Sequence, residues 1–103
     1  MEREPIRSVP TEGSARVTAT KPRVMVVDDD RAMCEVLELG LRKRGFDVLW
    51  HTDPLEALRV LPNEDIEVVV ADLNMPGLRG TELCSRVLAN RPDVPVIVIT
   101  AFG

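Results

Sequence analysis

The sequence predicts one α/β domain on a parallel sheet, and three observations carry that expectation. Two short apolar runs, residues 24–27 and 68–71, each end abruptly in acid, at Asp28-Asp29-Asp30 and at Asp72, as strands buried on both faces do. Segments with apolar residues at three- and four-residue steps lie between and after them, the spacing of amphipathic helices. Strict alternation of the two kinds implies right-handed crossovers with helices on both faces of the sheet.

Up to Pro22 the chain holds three of its eight prolines, many small polar residues and no apolar period, so residues 1–21 are expected to form a flexible leader and residues 22–103 the folded domain. Val24, Met25, Val26 and Val27 make the first strand. Asp30 is placed to cap a helix with Met33, Val36, Leu37 and Leu41 inward, ending at Arg42-Lys43-Arg44 and Gly45, where basic side chains and a glycine suit a helix C-terminus.

Residues 47–52 read as the second strand. Asp53-Pro54-Leu55-Glu56 then supplies a cap, a proline at the first helical position and a capping-box Glu, with Leu55, Leu58 and Leu61 expected inward. After the break at Pro62-Asn63-Glu64-Asp65, residues 68–71 form the third strand, ending in Asp72. Asn74-Met75-Pro76-Gly77 and Gly80 mark a turn-rich loop. Leu83, Cys84, Val87 and Leu88 form the next helical stripe, and residues 94–100 a fourth strand.

At 103 residues there is room for one core and therefore one principal site. A net charge of −4 and the lack of a basic cluster interleaved with aromatics argue against direct nucleic-acid binding. Cys34 and Cys84 share no metal-ligand spacing and are expected as buried free thiols of a reducing compartment. No apolar run reaches the roughly 20 residues of a membrane span, so the expectation is a cytoplasmic protein without a membrane partner.

In open parallel sheets ligands bind beyond the carboxyl ends of the strands, and here those ends carry Asp28, Asp29, Asp72 and Thr100. If the first and third strands are neighbours, three carboxylates converge, and their mutual repulsion calls for a cation. Hard oxygen donors without His or Cys point to Mg²⁺, with Mn²⁺ able to substitute. A carboxylate so placed is an adequate nucleophile toward a high-energy phosphoryl donor, with Asp72 becoming an aspartyl phosphate. Thr100 is positioned to donate its hydroxyl to a phosphoryl oxygen, and Ala101 is small enough to admit the group.

Val26-Val27-Asp28-Asp29-Asp30, then Asp72-Leu73-Asn74-Met75-Pro76-Gly77 with Gly80, then Val98-Ile99-Thr100-Ala101 together resemble the receiver domain of two-component response regulators. The resemblance implies a flavodoxin-like, doubly wound parallel sheet of strand order 2-1-3-4. It makes Asp72 the phosphoacceptor, Asp29 a direct Mg²⁺ ligand, Asp28 a water-mediated one, and the main-chain carbonyl of Asn74 another. It implies a sensor histidine kinase as donor and an output domain, often a transcription factor, as the downstream partner, with the phosphotransfer self-catalysed rather than the work of a conventional enzyme.

The chain departs from the family pattern after Gly103: the final helix, strand and helix are missing, with the Lys and the aromatic expected on that strand. An open apolar fourth strand and a partly uncovered sheet face are then expected to favour homodimers or domain swapping. Two other functions compete. An Asp-x-Asp phosphatase would use Asp28 as nucleophile and Asp30 as acid/base, although Arg31 and Ala32 fit its motif poorly. A receiver-like interaction module would never be phosphorylated.

Overall fold

The computed structural model describes residues 21–100. The strands are β1 (Arg23–Val27), β2 (Asp47–His51), β3 (Val68–Asp72) and β4 (Val96–Ile99), and the helices are α1 (Arg31–Lys43), α2 (Pro54–Val60), a 3₁₀ turn at Leu61–Asn63 and α3 (Gly80–Asn90). All strand pairs are parallel and the sheet order is β2-β1-β3-β4, the arrangement expected from the sequence. The leader expected over residues 1–21 lies outside the described residues except for its last position, and Ala101 lies outside them as well.

β1 is central, and Val24, Met25, Val26 and Val27 are all buried, because helices close over both of its faces. Met25, Val27, Val69 and Ala71 face α2 and α3 in one core cluster with Ala57, Leu61, Leu83 and Val87. Val24, Val26 and Val48 face α1 in a second cluster with Cys34, flanked by Leu37, Leu41, Phe46 and Trp50.

Local chemistry sets the helix ends. The Asp30 carboxylate accepts from the N–H groups of Ala32 and Met33, and that of Asp53 accepts from Leu55, with Pro54 in the first helical turn; both satisfy amides that would otherwise be orphaned. Arg42 and Lys43 occupy the last turn of α1. Trp50 packs beneath α1, its ring N–H donating to Glu38 at 2.9 Å, with the Arg31 guanidinium 5.3 Å from the ring centre, a distance at which cation–π attraction operates.

Several inward assignments fail at the margins of the helices: α1 packs over β1 and β2, and Val68 and Val70 of β3 join that cluster only as partly buried neighbours. Val36 is 64% exposed, and Val68 and Val70 are half-buried where both faces of their strand were expected to be covered. Leu55 and Leu88 are likewise exposed, and Cys84 is only half-buried. Each apolar stripe is wider than the strip of sheet its helix covers. β4 is shorter than expected, since Val94 turns back to bond Arg91 at 3.0 Å although it stays in the core.

Candidate functional site

The parallel register carries the ends of β1 and β3 to one corner. Val27 pairs with Ala71, so Asp28 and Asp72 leave adjacent strands at the same level. Carboxylate oxygens of Asp28, Asp29 and Asp72 all lie within 4.8 Å of one another; Asp28 and Asp72 are buried and Asp29 is exposed. The convergence expected if these strands were neighbours is present.

Backbone groups aim the two buried acids. The N–H of Asp30 donates to Asp28 Oδ1 at 2.9 Å, and the N–H of Asn74 donates to Asp72 Oδ1 at 3.3 Å. Each is a short turn in which an Asp side chain takes the amide two residues on, a conformation Asp favours. Asp30 itself is engaged at the start of α1, which sets it apart from the acidic cluster.

Burial pushes the Asp28 carboxyl above the usual range, and the charges of Asp72, Asp29 and Asp30 add to the rise; only the Asp30 amide opposes them. No cationic side chain contributes to that balance. Three acids packed this closely, two of them out of water, form a donor set of hard oxygens whose repulsion a divalent cation relieves. The residues present therefore fit Mg²⁺ or Mn²⁺.

Two supporting residues were not foreseen as part of the site. Cys34, one turn into α1, has its thiol 3.2 Å from the carbonyl of Asp28; burial and the Asp28 charge push that thiol up to about 11, so it is an inert prop under the acidic loop. Gly80 opens α3 against the chain that follows the candidate acceptor. Its N–H bonds the Leu73 carbonyl at 3.0 Å, and a Cβ there would lie 2.8 Å from both the Asp72 carbonyl oxygen and the Leu73 Cα. A side chain would therefore force the helix away from the loop. Gly77 turns the loop at φ +87°, a region that costs glycine little.

Asp72 pairs with Ile99 in the β3–β4 register, and the Leu73 N–H bonds the Ile99 carbonyl at 2.8 Å. Thr100, the next residue, thus stands at the same end of the sheet on the strand beside Asp72. Asn74 is exposed in the loop after β3. His51 ends β2, its carbonyl accepting from the Asp28 N–H at 3.2 Å, so its contact with the acidic loop is through the main chain.

Comparison with known proteins agrees with this geometry. Residues 24–103 match the family model described as the response regulator receiver domain. The chain is 44% identical over 82 residues to the transcriptional regulatory protein PrrA of Mycobacterium tuberculosis, covering 80% of this chain and 35% of the relative. It is 40% identical over 79 residues to the response regulator MprA of Mycobacterium sp. (strain KMS), covering 77% and 34%. The chain thus spans about a third of the length of these relatives.

Among solved structures, a response regulator receiver protein from Pseudomonas putida superposes with a TM-score of 0.73 at 32% identity, over 81% of this chain and 70% of that one. The response regulator TrrA of Thermotoga maritima, solved in complex with Mg²⁺–BeF, gives 0.75 at 28% identity, over 80% and 71%. Sheet order, acidic corner and these likenesses converge: the chain belongs to the receiver-domain family of two-component response regulators.

Proposed function

We propose that this receiver domain accepts a phosphoryl group on Asp72 from the phosphohistidine of a sensor histidine kinase, in a Mg²⁺-dependent reaction, and thereby regulates an output that acts on transcription. The observation carrying this reading is the uncompensated acidic corner: Asp28, Asp29 and Asp72 within 4.8 Å of one another, two of them buried. A purely structural role would pair such charges or leave them in water. The kinship with PrrA, named a transcriptional regulatory protein, supports the output. The structure of TrrA in complex with Mg²⁺–BeF supports a metal-dependent phosphoryl chemistry.

In this reading Asp29 and Asp72 would hold the metal through their carboxylates, Asp28 would do so through water, and the Asn74 carbonyl would complete the protein's donors. When bound, Mg²⁺ neutralises charge on the transferring phosphoryl oxygens. The protein's own part is positional. The Asn74 amide fixes the orientation of the Asp72 carboxylate through Oδ1, and the Asp30 amide does the same for Asp28. The Asp72 carboxylate attacks phosphorus as the P–N bond of the donor breaks, and the electron pair leaves with the imidazole. Thr100 donates its hydroxyl to a phosphoryl oxygen, with the small Ala101 beside it leaving room. The chain is a phosphoacceptor that catalyses its own modification, acting in the cytoplasm where the kinase presents its phosphohistidine.

Incubation with acetyl phosphate and MgCl₂, followed by intact mass measurement, tests the proposal. The expected result is a gain of one phosphoryl group that is labile to hydroxylamine and abolished by EDTA. A folded sample that gains no mass would make the chain an interaction module instead.

A further inference from the structure

Three separate hydrogen bonds tie Asp28 down. Its N–H donates to the His51 carbonyl of β2 at 3.2 Å, its Oδ1 accepts from the Asp30 N–H at 2.9 Å, and its carbonyl lies 3.2 Å from the Cys34 thiol of α1. The Asp72 carboxylate is held as well, by the Asn74 N–H. Asp29 differs from both. It is exposed, and among the described residues no hydrogen-bond donor holds its carboxylate, although that group comes within 4.8 Å of the other two acids. Its aim therefore depends on the main chain from which it projects.

That main chain is set by the Asp28–Asp29 peptide. The peptide group is planar, so fixing its oxygen fixes the plane and, with it, the direction in which the chain enters Asp29. Pairing with β2 and β3 stops at Val27, and the Cys34 thiol is the donor that meets the oxygen. Cys34 is fully buried among Val24, Val26 and Val48, between α1 and the sheet, where close packing leaves its sulfur little room to turn elsewhere. The helix that carries it is anchored to the same loop. The Asp30 carboxylate accepts from Ala32 and Met33, and the Asp30 carbonyl accepts from the Cys34 N–H at 3.1 Å.

We infer that Cys34 is a positioning residue for the metal: its thiol orients the Asp28–Asp29 peptide so that the Asp29 carboxylate is directed at the ion site. The inference rests on the metal-dependent reading proposed above. A thiol suits the task because it packs as a small apolar group and is still a weak donor. It can therefore sit in an apolar cluster and hold a carbonyl there. Groups that orient metal ligands from outside contribute to affinity without touching the ion.

Titration of the chain with Mn²⁺, followed by the electron paramagnetic resonance signal of the free ion, tests this on the parent, Cys34→Ala and Cys34→Ser. Urea unfolding in EDTA is measured on the same samples. Cys34→Ala removes the donor and is expected to weaken Mn²⁺ binding by about 10-fold, the low end of what losing an outer hydrogen bond to a metal ligand costs. Cys34→Ser keeps a donor at the same place and is expected to bind Mn²⁺ as the parent does, while burial of its hydroxyl among valines lowers stability. Affinity and stability then part company, which a merely structural role would not produce. With acetyl phosphate, the Ala variant is expected to need more Mg²⁺ for its half-maximal rate and to reach the parent's rate at saturation.

A Cys34→Ala chain that binds Mn²⁺ as tightly as the parent would overturn the inference. So would a Ser variant that loses as much affinity as the Ala variant, since the effect would then be one of packing. If Cys34→Ala fails to fold, Cys34→Val, which fills the space without a donor, is judged by the same outcomes. A parent that binds Mn²⁺ but gains no phosphoryl group removes the phosphoacceptor reading and leaves the role of Cys34 standing; a parent that binds no Mn²⁺ overturns both.

Discussion

The two ends of the sheet treat charge in opposite ways. At the amino end arginines are set against acids: Arg23 bridges Asp47 and Glu64 at 3.1 and 2.7 Å, Arg42 reaches Asp47, and Arg91 holds Asp93 at 3.2 Å while donating to the carbonyls of Leu61 and Glu64. At the carboxyl end Asp28, Asp29 and Asp72 crowd together with no arginine or lysine among the groups that set the ionisation of Asp28. Partial desolvation pushes the Asp47 carboxyl up, but the Arg42 hydrogen bond and the charges of Arg23 and Arg42 outweigh it and hold it below the usual range. The Asp28 carboxyl is held above that range. One chain thus shows both how it neutralises acids and where it leaves them crowded without a cationic partner, and the crowded corner is the one whose repulsion a bound cation would relieve.

The largest effect expected from breaking this contrast is at Asp72. Asp72→Asn keeps the shape of the side chain and removes the nucleophile, so phosphoryl uptake from acetyl phosphate should disappear entirely while the thermal unfolding transition stays cooperative. Intact mass and calorimetry on one preparation check both halves of that statement.

Next comes the close approach that holds the loop in place. Gly80→Ala puts a methyl group against the main chain of Asp72 and Leu73, and should destabilise by about 1–3 kcal/mol, the usual cost of overpacking. Urea titration reads that loss, and the rate of phosphoryl uptake should fall with it.

Asp28→Asn sharpens the comparison because its sign is unusual. The folded-state pKa of Asp28 is raised, so ionising it costs stability: the metal-free chain should gain stability as pH falls through that raised value and lose it as pH rises. The amide mimics the protonated form. Asp28→Asn should therefore unfold at a higher temperature than the parent in EDTA at neutral pH, and should lose most of the stabilisation that Mg²⁺ gives the parent. Melting curves with EDTA and with MgCl₂ measure both.

The smallest effect belongs to the paired end. The lowered pKa of Asp47 means that its contribution is present above its unfolded value and is lost as pH falls through the folded one. Asp47→Asn should produce a slight loss at neutral pH that disappears in acid and in high salt, as an exposed pair does. Its direction is opposite to that of Asp28→Asn.

Much of the fold was legible because its signals are periodic or local. Residues 24–27 and 68–71 announced strands by their composition, Asp30 and Asp53 announced caps, and the acids at two strand ends required only that β1 and β3 be neighbours. What escaped was coverage. An apolar stripe states that a helix has a buried side, not how much of the sheet lies beneath it, so Val36, Leu55 and Leu88 were assigned inward and stand exposed. The props of the site escaped as well. The Cys34 thiol meets the Asp28 carbonyl only after the chain has turned from strand into helix, and Gly80 carried a turn signal without indicating which backbone it would touch.

The most direct test of the acidic corner is to locate the phosphoryl group. Reductive trapping of the acyl phosphate, proteolysis and peptide mass mapping should place the modification on Asp72 alone. Modification on Asp28, the nucleophile an Asp-x-Asp phosphatase would use, would contradict the account.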